Sequence, residues 1–197
     1  MIQETPEEHK LRAVRITAAA RFAGANRLRR HERYSLFSIT MCSITVIVIS
    51  LLEPFGVKLI LPPNAVNLVA ATISLLILVI SLLVSGSKYG ERAEKMHAGG
   101  MEINSVGRRL EAAVKAGDGP LVDELSEEYE NILKIYENHI DVDYRVAQIK
   151  RYATHYKIDG FDRFWCWVLQ QWDVALQVVP LAITAGIVCW LVRGAHL

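Results

Sequence analysis

A chain of 197 residues is long enough for one domain, or for a small domain with attachments. Its formal net charge of +1 gives no overall pull toward nucleic acid, so direct nucleic-acid binding is not expected. The three cysteines lack CxxC spacing and suggest neither a disulfide framework nor a zinc site.

The near-zero charge conceals a strong segregation along the chain, beginning with a charged N-terminal segment, residues 1–34. Thr5-Pro6-Glu7-Glu8 is a helix-start signal: a capping hydroxyl, a proline at the first helical position and acids in the first turn. Leu11, Val14, Ala18, Phe22 and Ala25 then recur at three- and four-residue steps among Arg12, Arg15 and Arg21, which predicts a basic amphipathic helix. Such a helix can lie on anionic lipid or pack against the protein's own helices. Glu7, Glu8 and Glu32 dilute the charge and favour packing.

Residues 35–84 are predicted to form a transmembrane hairpin. SLFSITMCSITVIVISLL (35–52) and AVNLVAATISLLILVISLLV (65–84) carry no ionised group. Their 18 and 20 residues approach the roughly 20 that cross about 30 Å of hydrocarbon. The connection EPFGVKLILPPN reverses the chain with prolines and a glycine. Both spans carry polar strips. Asn67, Ser74 and Ser81 recur every seven residues on the second, and Ser35, Ser38, Cys42 and Thr45 lie together on the first. Small and hydroxyl residues let membrane helices approach closely and bond across the contact. The strips either pack the spans or line a water-filled path once several copies assemble. Without a charge in the hydrocarbon, a resting ion filter or proton relay is disfavoured.

Residues 85–160 are predicted to be a cytoplasmic helical hairpin. The first helix is weakened around Gly99-Gly100, and Asp118-Gly119-Pro120 makes the turn. The second is expected to run unbroken from Leu121 to about Tyr156, with Val122, Leu125, Tyr129, Leu133, Tyr136, Ile140 and Tyr144 along one stripe. Within it, KIYENHIDVDY sets His139 among Glu137, Asp141 and Asp143 and superficially resembles a catalytic site. On a helix His139 and Asp143 are four apart and pair locally, worth a few tenths of a kcal/mol. The stretch is therefore read as a polar helix face in contact with a neighbour.

Residues 161–197 hold a third uncharged stretch, VALQVVPLAITAGIVCWLV (174–192), preceded by Trp165, Trp167 and Trp172 at the depth of an aromatic belt. It is predicted to cross the membrane with Pro180 as a kink, although re-entry or an interfacial position also fits. Of the 22 Lys and Arg residues, eight precede the first span and twelve lie between the second and third, leaving Lys58 and Arg193. The positive-inside rule then places the N-terminus and residues 85–173 in the cytoplasm. The expected class is an all-α, multi-pass integral membrane protein.

No phosphate-cradling GxxxxGK[ST], GxGxxG or HExxH is present. Glu94 and His97 form a single ExxH, whereas a di-metal bundle needs the motif twice with two further glutamates. No enzyme, metal or cofactor is expected.

The order of parts resembles the SLATT family, two-transmembrane effector domains of bacterial conflict systems. The residues that carry the resemblance are Tyr89, Arg92, Ala93 and His97 in KYGERAEKMH, Tyr129 in EEYENIL, and Glu137, Asn138, His139, Asp143 and Tyr144 in YENHIDVDY, over about residues 8–156. It implies an inner-membrane effector of an anti-phage, abortive-infection system. Such an effector is quiet until a nucleotide signal or a partner triggers it, then oligomerises and forms a pore or disrupts the bilayer. Implied partners are further copies of itself, the lipid, and a cyclase, a nucleotide sensor or a reverse transcriptase encoded nearby. Tyr129, Tyr136, His139, Asp143 and Tyr144 would serve assembly or regulation, and Asn67, Ser74, Ser81, Ser38 and Thr45 would line a pore or pack the spans. A membrane-anchored scaffold that recruits a cytoplasmic partner is the alternative.

Overall fold

A computed structural model describes residues 5–52, 54–57, 59, 61–152, 156 and 158–192. Every element among them is an α-helix: α1 (Pro6–Leu52), α2 (Pro63–Ser87), α3 (Tyr89–Ala116), α4 (Gly119–Ile135), α5 (Asp141–Tyr152) and α6 (Gly160–Val192). The all-α expectation holds.

The helix ends follow local chemistry. At the start of α1 the Glu8 N–H donates to Thr5 Oγ1 at 3.2 Å and the Thr5 N–H donates to the Glu8 carboxylate at 2.9 Å, a reciprocal capping box. After α1, Gly56 turns the chain at φ +84°, and the Val57 N–H reaches back to the Leu52 carbonyl at 3.0 Å. Pro62 and Pro63 then open α2. Gly117, at φ +70°, closes α3, and Asp118 caps α4 by accepting the Leu121 N–H at 3.2 Å. Gly99 and Gly100 do not weaken α3, which runs through them with both glycines buried.

The long helix predicted from Leu121 to about Tyr156 is two helices. α4 stops at Ile135, Tyr136 is extended (φ −104°, ψ 148°), and α5 begins at Asp141. Side chains that compete for backbone bonds explain the break. Asn138 accepts the His139 N–H at 2.9 Å, and Asp143, in the first turn of α5, accepts the Ile140 N–H at 3.4 Å. An acid at that position favours the start of a helix, both as a cap and through the helix dipole.

The chain divides into two compact units. The first comprises residues 1–29 and 90–171. Its core is Val14 and Ala18 of α1, Ile103, Val106, Leu110 and Ala113 of α3, and Val122, Leu125 and Ile132 of α4. Each fully buried branched side chain contributes about 1.5–3 kcal/mol. The N-terminal helix is thus a packed helix. Its charged rim pairs outward: Arg15 with Glu111, Lys10 with Asp123, and on α3 Arg109 with Glu128. Exposed pairs of this kind add between zero and about 1 kcal/mol each.

The second unit comprises residues 30–89 and 172–197. Val46 of α1 packs on Ala70 and Ile73 of α2, and Ile49 packs on Val66, with Ile187 of α6 against both groups. This core is thin. Only 11% of the most apolar stretch on α2 is buried within the protein, and Leu68, Leu75, Leu82 and Leu83 are exposed. Leu36, Phe37, Ile47 and Leu51 do the same on α1. So much outward apolar surface belongs in lipid. The two segments long and apolar enough to cross a membrane lie on α1 and α2; on α6 the described apolar stretch is the shorter Val178–Ile187.

Candidate functional site

Polar residues on α1 of the first unit step inward at Thr17, Arg21 and Arg27, with Gly24 between them, alongside the apolar core. Across from them lie Gly99 and Glu102 of α3, the non-helical residues 136–140, and Asp143 and Tyr144 at the start of α5.

Arg27 and Asp143 form the firmest link. Arg27 Nε donates to Oδ1 at 3.0 Å and Nη2 to Oδ2 at 3.1 Å, a bidentate pair with Asp143 almost wholly buried. Gly24 makes the approach possible, because a Cβ there would stand 2.8 Å from Asp143 Oδ2 and would collide with the Met96 sulfur. Asp143 therefore ties α5 to α1. It does not pair with His139 along a helix, because His139 precedes α5. Glu137, on the non-helical segment before α5, pairs with Arg92 of α3, whose hydrogen bond holds its carboxyl below the usual range.

Arg21 is the exception. It is completely buried, yet none of its three guanidinium nitrogens has a hydrogen-bond partner among the described residues. Its Cζ stands over the ring of Tyr136 at 5.7 Å from the centroid, and both groups lie close to the backbone of α3 at Gly99. Glycine at 99 is required for that, since a Cβ there would meet Arg21 Nη1 at 2.5 Å and the Tyr136 ring at 2.8 Å. The nearest carboxylate that acts on it, Glu102, is engaged by the Tyr136 hydroxyl at 2.5 Å. Burial lowers the Arg21 pKa, opposed by Tyr129, Tyr136 and Glu102.

His139 stacks on Tyr144 at 5.6 Å between ring centroids, and its buried Nδ1 has no hydrogen-bond partner. Burial pushes the imidazole pKa down, and the charge of Arg21 adds to that against the pull of Asp143 and Asp141. Tyr129 donates from its hydroxyl to Thr17 Oγ1 at 3.0 Å. All five residues assigned to assembly or regulation thus gather in one layer, and Tyr129 and Tyr136 pack on the core of their own chain. Sequence reasoning missed both arginines: Arg21 read there as one of the charges around an amphipathic stripe, and Arg27 was not singled out.

In the second unit the two strips differ. Ser35, Ser38 and Cys42 are buried around a cavity of about 190 Å³ completed by Ile39, Ile77, Ile80 and Pro180. The Ser38 hydroxyl there has no hydrogen-bond partner, and Thr184 Oγ1 lies 3.4 Å from Cys42 Sγ. Thr45 bonds back to the Met41 carbonyl of its own helix. Asn67 and Ser74 are exposed and Ser81 partly so. Ser74 and Ser81 also bond within α2, to the Ala70 and Ile77 carbonyls at 2.9 and 2.7 Å. Asn67 and Ser74 therefore lie on the outward side of α2 within a single chain.

No curated protein and no solved structure matches the chain. The model of SMODS and SLOG-associating 2TM effector domain family 5 matches residues 3–192, and so takes in α6 as well as the stretch that carried the sequence resemblance. With a match over nearly its whole length and two helices fit to cross a bilayer, the chain belongs to the SMODS and SLOG-associating 2TM effector domain family 5 and is a membrane protein.

Proposed function

We propose that this chain is the membrane effector of a bacterial anti-phage system. It rests quietly in the inner membrane with its N-terminus and residues 85–173 in the cytoplasm, and α6 crosses as a third span. A nucleotide signal or a partner protein triggers it to oligomerise and to open or disrupt the bilayer, so that the infected cell stops before phage spreads. The observation that carries this reading is membership of a two-transmembrane effector family, joined to the polar groups on the outer side of α2. Asn67 and Ser74 face out of the single chain, where a second copy or a water path would meet them.

The test is membrane potential and dye entry in cells that express the chain with its neighbouring genes and are then triggered by phage. Wild-type protein should depolarise them. Ser74→Leu removes a hydroxyl at mid-span without adding charge, and should keep expression and insertion while reducing depolarisation by about tenfold or more through dewetting. Full depolarisation by Ser74→Leu would make the α2 strip a packing surface only. Failure of the wild-type protein to depolarise triggered cells would favour the scaffold.

A further inference from the structure

Arg21 carries a full set of donors and no acceptor. A guanidinium offers five N–H groups in a rigid fork and stays ionised in proteins. Burying it without a partner is a state that folded proteins avoid, because the desolvation cost is not returned. The carboxylate that acts on it, Glu102, accepts from the Tyr136 hydroxyl, while in the same layer Asp143 pairs with Arg27 and Glu137 with Arg92. The buried His139 Nδ1 is a second unpartnered polar atom in the same layer, and Arg21 acts on it electrostatically. The guanidinium stands over the half-buried ring of Tyr136, which lies on a non-helical segment between two helices.

We propose that Arg21 is the floor of a binding site for an oxyanion of phosphate chemistry, closed in the resting chain by Tyr136. A phosphate group has at least three oxygens able to accept from the guanidinium fork, more than the two of a carboxylate. Binding requires the ring to swing away, which releases the Tyr136 hydroxyl from Glu102 and lets residues 136–140 move. The unpartnered Nδ1 of His139, in the same layer, is then free to donate to the anion in its Nδ1–H tautomer. The ligand is a small soluble phosphate, either inorganic phosphate or the phosphate end of a nucleotide. The proposal concerns binding alone, so its failure leaves the membrane-effector reading untouched, and the reverse holds.

The experiment uses the full chain in detergent, titrated calorimetrically with inorganic phosphate and separately with ATP, against chloride at matched ionic strength. Saturable binding of either at one site per chain is expected, and which of the two binds tighter identifies the source. Arg21→Met should abolish binding while leaving the ligand-free protein at least as heat-stable as wild type, since it removes an unpaired buried charge. Arg21→Lys, which keeps the charge without the fork, is the second variant and should bind about tenfold more weakly. Tyr136→Leu should bind faster than wild type. The proposal is overturned if wild-type protein shows no saturable binding, or if Arg21→Met or Arg21→Lys binds as tightly as wild type.

Discussion

His139 is half-buried, and its surroundings disfavour the protonated imidazole. Its pKa lies below the ordinary 6.5 because burial dominates, Arg21 reinforces it, and Asp143 and Asp141 oppose it. With the folded pKa depressed, the unfolded chain takes up the proton first as pH falls. Stability is therefore lost as pH drops through about 6.5, and the loss levels off below the folded pKa. A thermal-unfolding series from about pH 8 to pH 5 should show this decline in wild-type protein and a shallower one in His139→Gln. An equally steep decline in the variant would assign the effect to other groups. The role of this histidine was hidden in the sequence because its neighbours in space, Arg21 and Tyr144, are set by a helix break. That break has no proline or glycine to announce it. The available clue was an acid, Asp143, three residues after Ile140, the spacing of a reciprocal cap.

Among the elements, α5 is tied to α1 by the Arg27–Asp143 pair. Asp143→Asn would leave the mostly buried Arg27 guanidinium without its counter-charge, at a cost of about 3–5 kcal/mol. The double variant Arg27→Met/Asp143→Leu removes both charges, and should recover most of that loss. Denaturant unfolding of both variants checks this, and equal destabilisation would mean that local packing around Asp143, not charge pairing, holds α5. Much at this scale was legible beforehand. The Thr5 box and the Val122, Leu125, Tyr129 and Leu133 part of the apolar stripe depend on residues close in sequence and appear as read. The turn read at Asp118-Gly119-Pro120 falls at Gly117 and Asp118, with Gly119 and Pro120 already in α4. Gly99 and Gly24 misled or were silent for the opposite reason. Their meaning is the nearness of Arg21, Tyr136 and Asp143, which no local pattern encodes.

Across the whole molecule, the segregation of charge that marked the spans is reproduced as outward apolar surface on α1 and α2. The expected orientation has a direct check. A cysteine at Asn64 should react in intact cells with an impermeant thiol reagent in a background where the native cysteines are serine, and one at Gly117 should not. Labelling of Gly117→Cys alone would invert the topology. The cavity around Ser38 adds a mechanical consequence. A partly open cleft of about 190 Å³ between α1, α2 and α6 is space that the side chains of the resting bundle leave unfilled. Hydrostatic pressure favours whichever state gives that volume up, with an upper bound on the order of 100 mL/mol if the void is wholly lost. If the helices rearrange on activation so that the void closes or floods, pressure alone should promote leakage from vesicles that hold the protein, and Ser38→Leu, which fills the space, should blunt the response. The resting membrane unit would then be a compressible part whose activation is coupled to volume.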